Sequence, residues 1–388
     1  MDGAIPIVSA LRRWDIFCHV IDNYGDAAVC WRLARELTEE HGCAVRLWID
    51  DIARLSTLVR EVAESDRQWV EAVEVRRWSD GAASGAALPD VVVEAFGYGL
   101  PPEYVTAMGG AARTPLWIVL EYLSAETWVQ AHHGLPSPHP THGIERYFFF
   151  PGFSPGTGGL LRERGLAVRR DAFAGVERAA FWSSLGYETP PADALVVSLF
   201  AYPSAPVAHL LAACERATRP VIVAVPAGAS AASAIAYFQL PPAPMLRRGA
   251  LEVRLLPFLS QGRYDELLWC CDINFVRGED SFVRAQWAAR PLVWHAYPQA
   301  EDAHRMKLDA FLDIYCDALP ASAGLAVARM TRVWNDAASQ AFAIASAWQA
   351  YIDALALLDD HAARWAQRLE GSGELAANLA RFARDKLK

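Results

Sequence analysis

Two carboxylates, Asp22 and Asp26, are the first side chains along the chain whose type and spacing suit chemistry. They bracket Asn23-Tyr24-Gly25, after an apolar run over 14–21 and before a stretch in which Val29, Leu33 and Leu37 recur at helical spacing. The pattern predicts strand, tight loop, helix. In an open α/β sheet, ligands bind beyond the carboxyl ends of the strands, so a loop there with paired acids suits proton transfer. Turn and helix-cap duty is the ordinary alternative for both residues.

Three stretches of the second half end apolar runs in the same manner. Phe200-Ala201-Tyr202-Pro203 offers rings that stack on a flat ligand, or that simply pack between domains. Pro257-Phe258-Leu259-Ser260-Gln261 reads as a turn whose backbone and Gln261 can contact the edge of a base. Arg277-Gly278-Glu279-Asp280-Ser281 opens a helix, where amide N–H groups, the Ser281 hydroxyl and the permanent charge of Arg277 outline a diphosphate cradle. The same Glu279, Asp280 and Ser281 are also good helix caps.

Other chemistries lack their motifs. The chain has no GxxxxGK[ST], which argues against a P-loop ATPase, and Gly97-Tyr98-Gly99 runs into Leu100-Pro101-Pro102 and misses the last glycine of a dinucleotide fingerprint. His132, His133, His139 and His142 share a proline-rich loop with no standard metal spacing, and Trp117 and Trp128 read as core. Cys18, Cys30, Cys43, Cys214, Cys270, Cys271 and Cys316 form no CxxC and read as buried free thiols of a reducing compartment. No metal is expected.

Strands are predicted over 44–49, 91–96, 116–120 and 147–150, and again over 195–200, 221–225, 251–256, 272–276 and 291–294, with helical stretches between most of them. A helix is expected over 51–64, capped by Asp50 or Asp51, and another beginning at Pro101-Pro102-Glu103. This alternation implies parallel, doubly wound sheets in two α/β domains. Residues 151–170, centred on Pro155-Gly156-Thr157-Gly158-Gly159, read as a linker or domain edge. From Asp302 the chain is mostly helical, ending in a helix with Leu375, Leu379 and Phe382 near one face.

A length of 388 residues suits two domains, and 53% hydrophobic content supports well-buried cores. The net charge of -9 argues against a nucleic-acid partner. Apolar runs fall short of a membrane span, and the start lacks the features of a secretory leader, so a cytoplasmic location is expected.

WDIFCHVIDNYGDAAVCWRLAREL (14–37), ERYFFFPGF (145–153), SLFAYPS (198–204), LPFLSQ (256–261), INFVRGEDSFVRAQWAARP (273–291) and WHAYPQAEDAH (294–304) together strongly resemble the EarP family, protein-arginine rhamnosyltransferases of translation elongation factor P. The resemblance implies a GT-B fold of two Rossmann-like domains facing a cleft, with a C-terminal helical segment packing back on the N-terminal domain. The division expected is 1–160 with about 368–388 for the acceptor domain, 161–185 for a linker, and 186–367 for the nucleotide-sugar domain. It further implies inverting transfer of L-rhamnose from dTDP-β-L-rhamnose to an arginine guanidinium nitrogen of elongation factor P, without a metal.

By family position, Asp22, Asp26 and Glu279 match essential residues, with Asp26 the expected base. Tyr24, Gly25, Phe200, Tyr202, Phe258, Gln261, Arg277, Asp280 and Ser281 match the donor pocket. A glycosyltransferase acting on a small molecule or glycan is the alternative. A nucleotide-sugar sensor without turnover and a nucleotide-sugar epimerase are more distant ones.

Overall fold

The structure is a computed structural model. It describes residues 12–22, 24–79, 81, 83, 85–299 and 303–388. Asn23 of the first loop, Ala300-Glu301-Asp302 of the last motif and the start of the chain over 1–11 lie outside the described residues.

The first sheet contains β1 (Arg13–Cys18), β2 (Ala44–Ile49), β3 (Arg67–Val70), β4 (Val73–Arg77), β5 (Val91–Ala95), β6 (Leu116–Leu120), β7 (Pro136–Pro138) and β8 (Glu145–Phe149), in the order β3-β4-β2-β1-β5-β6-β8-β7. The second contains β9 (Leu195–Leu199), β10 (Val221–Pro226), β11 (Met245–Arg248), β12 (Leu251–Leu256), β13 (Ile273–Arg277) and β14 (Leu292–His295), in the order β11-β12-β10-β9-β13-β14. Central strands such as β5, β6 and β9 are buried throughout, which is why they are almost wholly apolar; the polar members Glu94 of β5 and Ser198 of β9 are buried with hydrogen-bond partners, Trp117 and Asn274. The sheets are not wholly parallel, however, because β3/β4, β7/β8 and β11/β12 pair antiparallel. β3, β7 and β11 are edge strands with exposed residues and no apolar run, so the expectation of uniform parallel sheets missed them.

Asp51 caps the helix Ile52–Leu58, its side chain accepting the Arg54 amide, but that helix ends well before 64, where the backbone turns extended at Val59. The C-terminal helix Leu375–Lys386 places Leu375, Ala376, Leu379, Ala380 and Ala383 in the core of the first sheet. The glycine-rich stretch before it in space is closely packed. A Cβ on Gly158 would stand 2.6 Å from the Phe149 ring, and one on Gly159, at φ +77°, would stand 2.5 Å from the Gly373 carbonyl oxygen. The 161–185 span contains the helices Leu166–Ala172 and Val176–Ser184.

Among the described residues no single helix is long and apolar enough to cross a membrane. Ala341–Asp353 and Leu355–Glu370 would reach that length only together, but they meet at 71° and bury Ile344, Trp348, Tyr351 and Leu358 in the second core.

Candidate active site

β1 ends at Cys18 and the helix Gly25–Glu39 begins after a turn closed by the Gly25 amide, which donates to the Asp22 carbonyl at 2.6 Å. Asp26 carries the turn chemistry, since its Oδ2 accepts the amides of Ile21 and Asp22 at 2.8 Å each. Its Oδ1 accepts the Tyr122 hydroxyl at 3.1 Å. Asp22 instead reaches across the cleft. Its Oδ2 accepts the Tyr202 hydroxyl of the second lobe at 2.6 Å, and its Oδ1 lies 3.9 Å from Nη1 of Arg277. Burial raises the pKa of both carboxyls; the Tyr202 bond opposes it at Asp22, and the two backbone amides oppose it at Asp26.

A cavity with about 680 Å³ of open volume is lined by Asp22, Tyr24, Gly25, Phe200, Phe258, Gln261, Arg277, Glu279, Asp280 and Ser281, among others. Tyr24 meets Phe258 edge-on at 5.4 Å, while Phe200 meets Tyr264 at 5.8 Å. The Arg277 guanidinium lies over the rings of Phe200 and Tyr202, at 4.6 and 4.5 Å. Tyr202 is the expected donor residue that does not line this cavity. Gln261 ties the lobes together, its Nε2 donating to the Ala28 carbonyl at 3.2 Å. Ser281 Oγ bonds both the amide and the carbonyl of Arg277, at 3.0 and 2.5 Å, and so steadies the turn into the helix Asp280–Trp287.

Asp280 belongs to a buried ion network between the lobes. Arg32 of the first helix bonds Asp280 at 2.9 Å through Nε and Glu163 at 2.6 Å through Nη1, and Arg284 bonds Glu163 at 2.8 Å and Asp265 at 2.7 Å. Glu279 stands at the helix N-cap position without capping it. Its Oε2 accepts the Leu123 amide of the first lobe at 2.9 Å, and burial pushes its carboxyl up to about 8.

A second cavity, with about 700 Å³ of open volume, adjoins the first and is lined by Asp22, Asp26, Tyr98, Tyr122, Glu279, Tyr297 and Lys307, among others. Asp22, Gly25 and Glu279 line both cavities, so the carboxylates stand at the junction. Tyr122 is held from behind by Phe96, stacked at 4.3 Å with φ +63°, and the Lys307 ammonium lies 5.5 Å over its ring.

Tyr98 and Tyr122, which sequence reasoning missed, follow β5 and β6 at the same edge of the sheet as Asp22. The crevice rule used for Asp22 would have found them. His295, at the end of β14, accepts the Tyr202 amide through Nδ1 at 3.2 Å, and burial followed by the charge of Arg277 pushes its pKa down to about 4. His132 Nδ1 bonds the Trp128 carbonyl, His133 Nδ1 accepts the Phe150 amide, and His139 stacks on Trp117 and on His142. Among the described residues no group of three His, Cys, Asp or Glu could hold a metal ion.

A model of the family described as Elongation-Factor P (EF-P) rhamnosyltransferase EarP matches residues 14–384. The chain belongs to the EarP family. A protein-arginine rhamnosyltransferase of Pseudomonas putida is 46% identical over 380 residues, covering 96% of this chain and 99% of its own. One from Pseudomonas aeruginosa is 44% identical over 385 residues, covering 97% and 100%. A solved structure concerned with EarP-mediated arginine glycosylation of translation elongation factor EF-P has a TM-score of 0.68 at 35% identity, covering 96% of this chain and 99% of its own. The spinosyn rhamnosyltransferase SpnG complexed with thymidine diphosphate, at TM-score 0.54 and 11% identity over 95% and 99% of the two chains, shares the fold alone. This EarP-family chain is thus a GT-B glycosyltransferase of the protein-arginine rhamnosyltransferase class.

Proposed function

We propose that the enzyme transfers L-rhamnose from dTDP-β-L-rhamnose to an arginine guanidinium nitrogen of translation elongation factor P, with inversion at the anomeric carbon. The observation that carries this is the meeting of two cavities at Asp22, Gly25 and Glu279, one lined by aromatic rings with Arg277 and Asp280, the other by tyrosines with Asp26 and Lys307. Stacking rings at Tyr24, Phe200 and Phe258, with Arg277 and the helix N-terminus at Asp280, suit a nucleoside diphosphate. Carboxylates and tyrosine faces suit a guanidinium. The family's relatives are protein-arginine rhamnosyltransferases, and the 35% identical structure concerns EF-P.

Arginine is a weak nucleophile because its delocalised cation holds its proton, with a pKa above ~12. In our reading Asp22 fixes the planar fork and Asp26 takes the proton as the nitrogen attacks C1. The N–C1 bond then forms as the C1–O bond to the diphosphate breaks on the opposite face, and dTDP departs toward Arg277 and the helix amides. These positive groups stand in for a metal at the leaving group. Glu279, its carboxyl pushed up to about 8 by burial and so mainly protonated at pH 7, can donate as well as accept at the junction and adds little charge beside the diphosphate. Seven free cysteines suit a cytoplasmic enzyme.

Purified enzyme, dTDP-β-L-rhamnose and unmodified elongation factor P should give the factor one deoxyhexose mass increment on an arginine, seen by mass spectrometry. An unmodified factor alongside a rhamnosylated small molecule or glycan would overturn the protein acceptor. Retention of configuration, read by NMR of the glycosylated arginine, would overturn the single displacement.

A further inference from the structure

We propose that Glu94 is a positioning residue that fixes Tyr98 beside the second cavity, where the Tyr98 ring holds the arginine of the acceptor protein. This rests on the rhamnosyl-transfer reading above. Glu94 lies in the otherwise apolar β5 and is 2% exposed. A carboxyl buried in a sheet is costly unless it is bonded, so its partners say what it holds. Its Oε1 accepts the Gly99 amide at 2.8 Å, and its Oε2 accepts the indole N–H of Trp117 in β6 at 2.9 Å. The first bond folds the loop after β5 back onto its own strand. Three residues of that loop stand at positive φ, Phe96 at +63°, Gly97 at +70° and Gly99 at +89°. Phe96 is no glycine and needs support to stay there, which its stacking on Tyr122 and the Glu94 bond supply.

Tyr98 stands between these two supports. It is 46% exposed and lines the second cavity together with Asp26. Its hydroxyl lies 3.4 Å from that of Tyr122, which donates to Asp26 Oδ1, and the His19 ring meets it edge-on at 5.4 Å. An arginine that reaches Asp26 through this cavity therefore runs along Tyr98. An aromatic face attracts a guanidinium and packs against its methylene stem, provided the ring is held in place.

Tyr98→Ala should raise KM for elongation factor P about 3- to 10-fold, the size of a cation–π contact at a partly exposed site, with kcat at saturating factor within about twofold of wild type. Glu94→Met should raise KM similarly, and the double variant should be no worse than Tyr98→Ala alone, because Glu94 acts through that ring. Gly99→Ala works from the other end of the bond and decides the matter if Glu94→Met does not fold. Its Cβ would meet nothing within 4 Å, so only the backbone at φ +89° resists it. It too should raise KM, and add nothing beside Tyr98→Ala. Calorimetry should find dTDP-β-L-rhamnose bound within about twofold of wild type in every variant. An unchanged KM in any single variant, KM increases that multiply in the double variants, or donor affinity weakened beyond that twofold overturns the assignment. Wild-type enzyme that leaves the factor unmodified would instead overturn the rhamnosyl-transfer reading.

Discussion

Replacing Arg32 by methionine should loosen the junction between the lobes, and the cost follows from the partners left behind. The Arg32 side chain is 2% exposed and bonds Glu163 and Asp280 at 2.6 and 2.9 Å. Glu163 keeps Arg284 at 2.8 Å in the variant, as Asp265 does at 2.7 Å. Asp280, whose carboxyl is raised by burial and lowered mainly by Arg32, loses the partner that holds it ionised. Leaving one buried charge uncompensated costs ~3–5 kcal/mol, and the 16% exposure of the Asp280 side chain points to the lower end. At ~2 °C per kcal/mol for a lobe of this size, the melting temperature should fall by ~6 °C. Thermal unfolding by circular dichroism measures it. Adding Asp280→Asn should restore about half the loss or more, since the orphaned charge is then gone. A melting temperature for Arg32→Met within 2 °C of wild type, or a double variant no better than the single one, would refute the reasoning.

Asp26→Asn should lower kcat by ~10²–10⁴-fold with donor affinity unchanged, checked by transfer kinetics and calorimetry; normal turnover would remove Asp26 as the base. Because burial pushes Glu279 up to about 8, it is mainly protonated at pH 7 and gains a negative charge as pH rises through 8. Donor affinity should therefore weaken above pH 8 in wild type and stay flat in Glu279→Gln, and titration calorimetry from pH 6.5 to 9 compares the two slopes. Leu379→Ala should destabilise the protein by ~2–5 kcal/mol in urea titrations, because Leu379 is fully buried between the C-terminal helix and the first sheet.

The candidate site was legible wherever a polar residue followed a buried apolar strand. Asp22 after β1, Phe200 after β9, Phe258 after β12 and Arg277 at the end of β13 all stand at carboxyl ends of strands whose apolar runs were plain. The bounds 116–120 were readable because a strand buried on both faces runs as a continuous apolar stretch, while 44–49 and 251–256 were readable from the apolar residues on either side of Arg46, Glu252 and Arg254. β3, β7 and β11 were not readable, because an exposed edge strand places no such demand on its sequence.

Sequence alone thus determined the two α/β lobes, the acid-bearing loop of one and the Arg277–Ser281 turn of the other, since local apolar pattern dictates strands and helices. Only tertiary structure decided how these pieces share their side chains. Asp280 could cap a helix or face a ligand, and it pairs with Arg32. Glu279 could have capped the same helix, and it takes the Leu123 amide of the other lobe. Tyr202 could stack on a flat ligand or pack between domains, and its hydroxyl bonds Asp22 across the cleft. Each choice turns on groups brought together across the cleft from far along the chain, where the cost of burying an unpaired polar group selects the partner and no local pattern records it.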